Sequence, residues 1–165
     1  MTAATPFEEL VAARVPGLLR LAVMLTGNAA DAEDLVQAAL ARAVPHAARI
    51  AAMAAPAAYL RQVLVHEHVS RARRRRVVVV PLNHHDAPTA DPADAVASSD
   101  RTWRVLATLP PRQRAVLVLR IYEDLPDRDI ADLLGTTEAT VRSNAARALD
   151  TLRSRLTRAD LEEPR

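Results

Sequence analysis

Apolar residues recur three or four positions apart along most of the first 76 residues, the spacing of one face of an α-helix. The pattern breaks at Thr26-Gly27-Asn28 and at Pro45, residue types that end helices or begin new ones. The predicted elements are a helix at Phe7–Leu25, a second helix that Asn28 caps and that reaches about Val44, a loop with a short helical piece over 45–55, and a long helix from Pro56 to about Arg76.

Residues 77–101 lose this helical period. They contain four valines in succession, three prolines and four aspartates, a composition that is typical of a linker. Helical spacing returns over 102–156. The predicted elements there are a short helix before Pro110-Pro111, helices at about Arg112–Tyr122 and Asp127–Leu134, a turn at Gly135-Thr136-Thr137, and a last helix from Glu138 to about Leu156, followed by a frayed tail at 157–165.

Composition favours an all-α protein. Only 2% of the 165 residues are aromatic and only three are glycine, so aliphatic side chains must fill the cores and tight β-turns are scarce. We therefore predict an all-α fold with two helical domains, 1–76 and 102–156, joined by a flexible acidic linker at 77–101.

Charge is distributed unevenly along the chain. All 22 basic residues are arginine; 1–76 carries ten arginines against six acids, and 101–165 carries twelve against ten. Residues 77–100 carry four aspartates and no arginine. Two basic bodies around an acidic connector suggest a polyanionic partner, for which the planar guanidinium is well suited.

Several classes of function are disfavoured. The absence of cysteine excludes disulfides and thiolate chemistry, and no apolar run approaches a membrane span or a signal peptide, so we expect a cytoplasmic protein. His84-His85-Asp86 and His66-Glu67-His68 lack the spacing of a metal site. No glycine-rich phosphate loop is present. We expect no enzymatic activity, no cofactor, no metal and no small-molecule substrate.

The strongest functional pattern lies at 127–149. A two-turn helix, Gly135 in a left-handed turn, the cap residue Thr137 and a final helix form the pattern of a helix-turn-helix. Such a unit places its second helix in the major groove of DNA. The residues expected to contact DNA are Thr137, Glu138, Ala139, Arg142, Ser143, Asn144 and Arg147.

Two further patterns lie in the first domain. Arg71–Arg76 contains five arginines at the end of a helix that also bears Arg61 and His66, which favours a polyanion contact over a merely solvated helix end. Asp31, Asp34 and Gln37 recur at about one helical turn and share a face. Taken alone, this acidic face is explained by the helix dipole.

Several segments, in this order, carry a resemblance to a known family. They are Leu25-Thr-Gly-Asn, Ala32-Glu-Asp-Leu-Val-Gln-Ala-Ala-Leu-Ala-Arg, Ala58-Tyr-Leu-Arg-Gln-Val-Leu-Val, Leu109-Pro-Pro-Arg-Gln-Arg-Ala-Val-Leu-Val-Leu-Arg, Tyr122-Glu-Asp-Leu and the helix-turn-helix. The chain resembles the extracytoplasmic-function (ECF) sigma factors of bacterial RNA polymerase, with most similarity to the SigE-type actinobacterial group. The resemblance covers about four fifths of the chain and implies sigma region 2 at 1–76 and region 4 at 102–156.

The resemblance implies roles for particular residues. The last helix would recognise the minus-35 promoter element, and the Leu109–Leu119 region would lie near the polymerase flap. Core polymerase binding, on the clamp helices, would use Asp31, Glu33, Asp34 and Gln37. Contact with the minus-10 element, together with the loop near 45–56, would use Arg61, His66, Arg71, Arg73, Arg74, Arg75 and Arg76. An anti-sigma protein is a further candidate partner.

The sequence departs from the family at the minus-10 contact. Relatives usually carry aromatic residues near Val44 and Ala47, an asparagine where His66 stands, and often a tryptophan near Ala72. Aromatic stacking stabilises an unpaired base by about 1–3 kcal/mol, so the expected minus-10 contact is weaker than usual.

Two alternative functions remain open at this point. A free-standing transcription regulator would use only the helix-turn-helix, with its first domain serving dimerisation or sensing. A helical adaptor would bind proteins only. The acidic face of the second helix favours the sigma factor, because a plain repressor has no use for a polymerase-docking surface.

Overall fold

The computed structural model describes residues 4–78 and 104–162, and within these residues every regular element is helical. The described residues fall into two separate units, one on each side of the gap. The elements are α1 (Pro6–Thr26), α2 (Ala29–Ala43), a 3-10 turn (Val44–His46), α3 (Ala47–Ala51), α4 (Pro56–Val78), a helical turn at 104–107, α5 (Pro111–Leu117), a π-helical turn (Val118–Tyr122), α6 (Asp127–Leu134) and α7 (Glu138–Glu162).

Local sequence signals set the ends of the first two helices. Thr5 and Glu8 form a reciprocal capping box at the start of α1, with the Glu8 backbone N–H donating to the Thr5 hydroxyl. Gly27 ends α1 in the left-handed conformation at a φ of 99°. Asn28 then caps α2, because its side-chain oxygen accepts from the backbone N–H of Asp31 at 2.8 Å.

The first unit is a bundle in which α1, α2 and α4 pack on one another. Its core is aliphatic, as the composition predicts. Small residues such as Ala22 and Ala32 are fully buried between the helices, which lets the backbones approach closely. The largest fully buried side chains are Leu21, Leu25, Leu35, Ile50, Leu60 and Leu64.

The second unit packs α5 and α6 against α7. Its largest fully buried side chains are Leu109, Val116, Leu119, Ile130 and Val141. The turn between α6 and α7 is a Schellman motif centred on Gly135, whose φ is 60°. The backbone N–H of Thr136 donates to the carbonyl of Ala131 at 2.9 Å, which satisfies one of the last carbonyls of α6.

The structure differs from the predicted elements in three details. The short helical piece predicted within 45–55 is present as α3, but a 3-10 turn precedes it, so helical geometry covers Val44–Ala51 and Ile50 is buried in the core. The helix predicted at 112–122 changes to π-helical geometry at Val118. The last helix does not end near Leu156 but continues to Glu162, into the tail predicted to fray.

The predicted linker at 77–101 lies outside the described residues apart from Val77 and Val78, which extend α4 by two residues. His84-His85-Asp86 lies outside them as well. No helix among the described residues is long and apolar enough to cross a membrane.

Candidate DNA and polymerase interfaces

The start of α7 is fixed by its capping residue. The Thr137 hydroxyl oxygen accepts from the backbone N–H of Thr140 at 3.2 Å, and the two threonine hydroxyls lie 3.0 Å apart. Three residues of α7 are buried in the core of the second unit: Val141, Ala145 and Ala148. The opposite face is exposed and carries Glu138, Ala139, Arg142, Ser143, Ala146 and Arg147. This division of faces agrees with the pattern that predicts a recognition helix.

Arg142 of this face and the neighbouring Asn144 already have partners within the helix. Arg142 forms an ion pair with Glu138 one turn earlier, at 3.6 Å, and both side chains are more than half exposed. Asn144 is only half-buried, and its amide donates to the carbonyl of Thr140 at 3.0 Å. Arg142, Ser143 and Arg147 are therefore better placed than Asn144 to contact DNA.

The predicted polymerase-docking residues lie on α2 but differ in exposure. Glu33, Asp34 and Gln37 are exposed. Asp31 is half-buried, and its carboxylate accepts from the side-chain amide of Asn28 at 2.8 Å. Asp31 therefore belongs to the cap of α2, and the exposed residues of the predicted docking set are Glu33, Asp34 and Gln37.

A groove of about 540 Å³ runs along the first unit between α2 and α4. His66, which the sequence analysis assigned to the minus-10 contact, lines this groove. Ser70, which directly precedes the arginine-rich residues 71–76, lines it as well. The lining residues of the groove are Arg42, His46, Tyr59, Gln62, Val63, His66, Glu67 and Ser70. Val63 is half-buried and lines this groove.

Glu67 lies at the base of this groove and is only 4% exposed. Its Oε1 accepts from Nε of Arg71 at 3.2 Å and from Nη2 of Arg74 at 3.1 Å. Its Oε2 lies 2.7 Å from Nε of Arg42, but the N–H is not aligned with this oxygen, so the contact is an ion pair without a linear hydrogen bond. Three guanidinium groups thus surround one buried carboxylate.

Arg71 also joins α4 to α2. Its Nη2 donates to the backbone carbonyl of Asp34 at 3.0 Å, while its Nε donates to Glu67. Arg71 is therefore largely committed to contacts within the unit, although sequence reasoning assigned it to DNA. Arg61, Arg73 and Arg75 are exposed on α4, as a DNA contact requires, and the side chain of Arg76 lies outside the described residues.

Sequence reasoning missed the role of Glu67. It considered this residue only within His66-Glu67-His68 and as a metal ligand, and no cluster of metal-binding side chains occurs among the described residues. The spacing of Glu67 and Arg71, four residues apart on a helix, was the available signal. The contact with Arg42 joins residues 25 positions apart on different helices, and no local pattern reveals it.

Arg114 in the second unit was also missed. It is buried, and its guanidinium donates to the carbonyls of Ala107 and Leu109 at 3.3 and 3.0 Å. Burial lowers the pKa of Arg114 from its ordinary value. These bonds hold the turn that leads into α5, so Arg114 stabilises the body that carries the recognition helix.

The comparisons with known proteins cover both units. Residues 10–77 match the family Sigma-70 region 2, and residues 99–152 match the family Sigma-70, region 4. The RNA polymerase sigma-E factor of Streptomyces coelicolor is 36% identical over 94% of this chain and 89% of its own length. The ECF RNA polymerase sigma factor SigM of Mycobacterium tuberculosis is 31% identical over 92% of this chain and 76% of its own length.

Solved structures show the same fold. The sigma factor RpoE of Bartonella quintana, crystallised with the anti-sigma factor NepR, matches with a TM-score of 0.63 and 24% identity over 92% of this chain and 96% of that one. The extracytoplasmic function sigma factor SigJ of Mycobacterium tuberculosis matches with a TM-score of 0.61 and 27% identity over 87% of this chain and 52% of that one. The chain belongs to the extracytoplasmic-function RNA polymerase sigma factors of the sigma-70 family.

Proposed function

We propose that this sigma factor brings core RNA polymerase to promoters through three surfaces. The docking surface of α2, formed by Glu33, Asp34 and Gln37, binds the polymerase clamp helices. The exposed face of α7 recognises the minus-35 element. The groove between α2 and α4, with the basic end of α4, engages the minus-10 element.

The observation that carries this proposal is the exposed face of α7. A capped helix buries Val141 and Ala145 and leaves Arg142, Ser143 and Arg147 exposed. Guanidinium groups on such a face can bind guanine edges in pairs of hydrogen bonds or neutralise phosphates. The similarity to sigma region 2 over residues 10–77 favours a sigma factor over a free-standing regulator, which would not need that unit.

The remaining parts of the proposal follow from this role. The polymerase supplies the chemistry of RNA synthesis, and the sigma factor supplies binding energy and no catalytic group. The protein works in the cytoplasm, where the polymerase transcribes. An anti-sigma protein, of the kind bound to the Bartonella quintana relative, is a further candidate partner.

Association with core RNA polymerase tests the docking surface. The wild-type chain should be retained by immobilised core polymerase, and Asp34→Arg should weaken this retention at least about tenfold, because it reverses a charge on the proposed contact. Asp34 is preferred over Asp31 for this test because the Asp31 carboxylate accepts a hydrogen bond from Asn28, the residue that caps α2.

A matched control reverses a charge on the same unit away from α2. Glu9 is exposed on α1, and Glu9→Arg should bind core polymerase as the wild type does. Equal retention of the wild type and Asp34→Arg would refute the assignment of the docking surface. No retention of the wild type would refute the proposed function itself.

A further inference from the structure

Glu67 is a buried acid within the basic surface proposed to hold the minus-10 strand. It is the only acidic residue of α4, and five of the six residues from Arg71 to Arg76 near the end of this helix are arginine. Burying a carboxylate is costly unless the charge is paired and hydrogen-bonded. Here Arg42, Arg71 and Arg74 supply that pairing, so the cluster carries a net charge of two positive, and two of its members, Arg42 and Glu67, line the groove.

The three arginines differ in exposure. Arg71 is 31% exposed and is also bound to the carbonyl of Asp34. Arg42 and Arg74 are 59% and 62% exposed, although each has one nitrogen within 3.1 Å of the buried Glu67. A guanidinium has five N–H donors, so Arg42 and Arg74 keep donors for a partner in the groove.

We infer that Glu67 is a positioning residue for promoter recognition, which holds Arg42 and Arg74 beside the groove so that their remaining donors meet the phosphates of an unpaired DNA strand in one register. This inference rests on the proposed function of the groove. A freely moving arginine contacts phosphates of any sequence with similar strength. An arginine held in place fixes the strand, so only bases that fit the groove in that register are accepted.

Stability alone is a poor explanation for the cluster. A buried ion pair roughly offsets its own desolvation cost, and an apolar residue of similar volume often serves stability as well. The join between α2 and α4 needs only Arg71, which reaches both Glu67 and Asp34. Positioning explains why two exposed arginines, one from each helix, also converge on the same carboxylate.

Glu67 should therefore increase the preference for the correct minus-10 sequence and lower the affinity for single-stranded DNA of any sequence. Its negative charge offsets about one arginine of a surface that binds a polyanion. Removing that charge should strengthen binding to any single strand and weaken the preference for the correct minus-10 sequence. A residue that only stabilised the fold would not change these two quantities in opposite directions.

The test uses holoenzyme assembled from core RNA polymerase and the full chain. The DNA is a forked promoter fragment, taken from the promoters that this holoenzyme selects in run-off transcription, with either its own or a scrambled unpaired minus-10 strand. Dissociation constants for both fragments are measured over a range of salt concentrations for the wild type, Glu67→Gln, Glu67→Asp and Glu9→Gln.

For Glu67→Gln we expect the ratio of the two constants to fall about tenfold, within the range that a single mismatched base costs. The slope of log affinity against log salt should steepen by about 0.7, the value for one more phosphate contact on a single strand. Glu67→Asp, which keeps the charge, should restore much of the ratio. Glu9→Gln removes one negative charge from exposed α1 and should leave both quantities unchanged.

If Glu67→Gln does not fold, two arginine variants test the positioning role of Glu67 instead. Arg74 is held by Glu67, whereas Arg73, its exposed neighbour, is not among the arginines that contact this carboxylate. Arg74→Gln should lower both the affinity and the discrimination ratio, and Arg73→Gln should lower the affinity alone.

The inference is overturned if Glu67→Gln matches Glu9→Gln in ratio and slope, or if Arg73→Gln and Arg74→Gln lose discrimination equally. A wild-type holoenzyme that selects no promoter would instead overturn the proposed function, so the two failures are distinguishable.

Discussion

Arg114 and Arg112 lie two positions apart in α5, yet only Arg114 is buried. The Nη2 group of Arg114 donates to two backbone carbonyls of the second unit, whereas Arg112 is exposed. Arg71 shows the same division in the first unit, because it binds Glu67 and Asp34 while Arg73 is exposed. At the scale of single residues, a chain without lysine uses arginine both to bind its own backbone carbonyls and, in the proposed function, to contact DNA.

Replacing Arg114 should therefore destabilise the second unit. Arg114→Met leaves the carbonyls of Ala107 and Leu109 without their donor, at a cost of about 1–3 kcal/mol. The midpoint of thermal or urea unfolding should fall, while the exposed control Arg112→Met should leave it almost unchanged. Equal midpoints for the two variants would show that the buried hydrogen bonds of Arg114 contribute nothing to stability.

Replacing the exposed arginines of α7 should weaken DNA binding without unfolding the protein. Arg142→Ala with Arg147→Ala should lower affinity for a minus-35 duplex at least about tenfold, since one good base contact is worth about 1–3 kcal/mol. Arg153 lies farther along α7, is exposed and pairs with Asp150, so Arg153→Ala is the matched control. Unchanged affinity in the double variant would favour a protein-binding adaptor over a DNA-binding protein.

At the scale of elements, local signals predicted the helices well where a cap or a turn residue is present. Asn28 and Gly135 mark ends that the structure places within a residue of the prediction. The elements that follow α2 were harder to predict, because Pro45 suggested that helical structure ends there. A proline is tolerated in the first turn of a helix, and the alanine-rich residues that follow continue as α3.

The π-helical turn at Val118–Tyr122 could not be predicted from the sequence. Helical periodicity continues through it, and the change appears only in the backbone bonds, where the N–H of Glu123 donates to the carbonyl of Val118. Asp124 then adopts a positive φ of 51°, which aspartate tolerates better than most residues. The turn leaves Ile121 and Tyr122 exposed, although periodicity places them in a predicted helix.

The exposed face of α7 could be predicted because its pattern lies within one helix. Arg142, Ser143 and Arg147 are exposed as the spacing indicates. The Glu67 cluster could not be predicted from the sequence, since Arg42 belongs to another helix and its contact with Glu67 depends on how α2 and α4 pack.

The turn before α7 offers a test at this scale. Gly135→Ala places a side chain at a φ of 60° and should destabilise the second unit by about 1–2 kcal/mol. Gly17→Ala is the matched control in α1, where an added Cβ would meet only the Arg20 side chain at 3.8 Å. It should stabilise the first unit by about 0.5–1 kcal/mol. Denaturation curves with shifts of the same sign would contradict this explanation of the turn.

At the scale of the whole molecule, the proposed function divides one task between two units. The first unit would present the docking surface and the groove on neighbouring helices, and the second would present the recognition helix. Neither proposed DNA contact would have to be strong alone, because two linked contacts raise the effective concentration of each other.

Run-off transcription tests the central claim most directly. Core RNA polymerase, with and without the purified chain, transcribes a library of genomic fragments, and the transcript starts are mapped. We predict that the chain produces discrete new starts whose upstream sequences share two spaced elements, and that Arg142→Ala with Arg147→Ala abolishes most of these starts. A pattern of starts identical to that of core polymerase alone would contradict the conclusion that this chain is an active sigma factor.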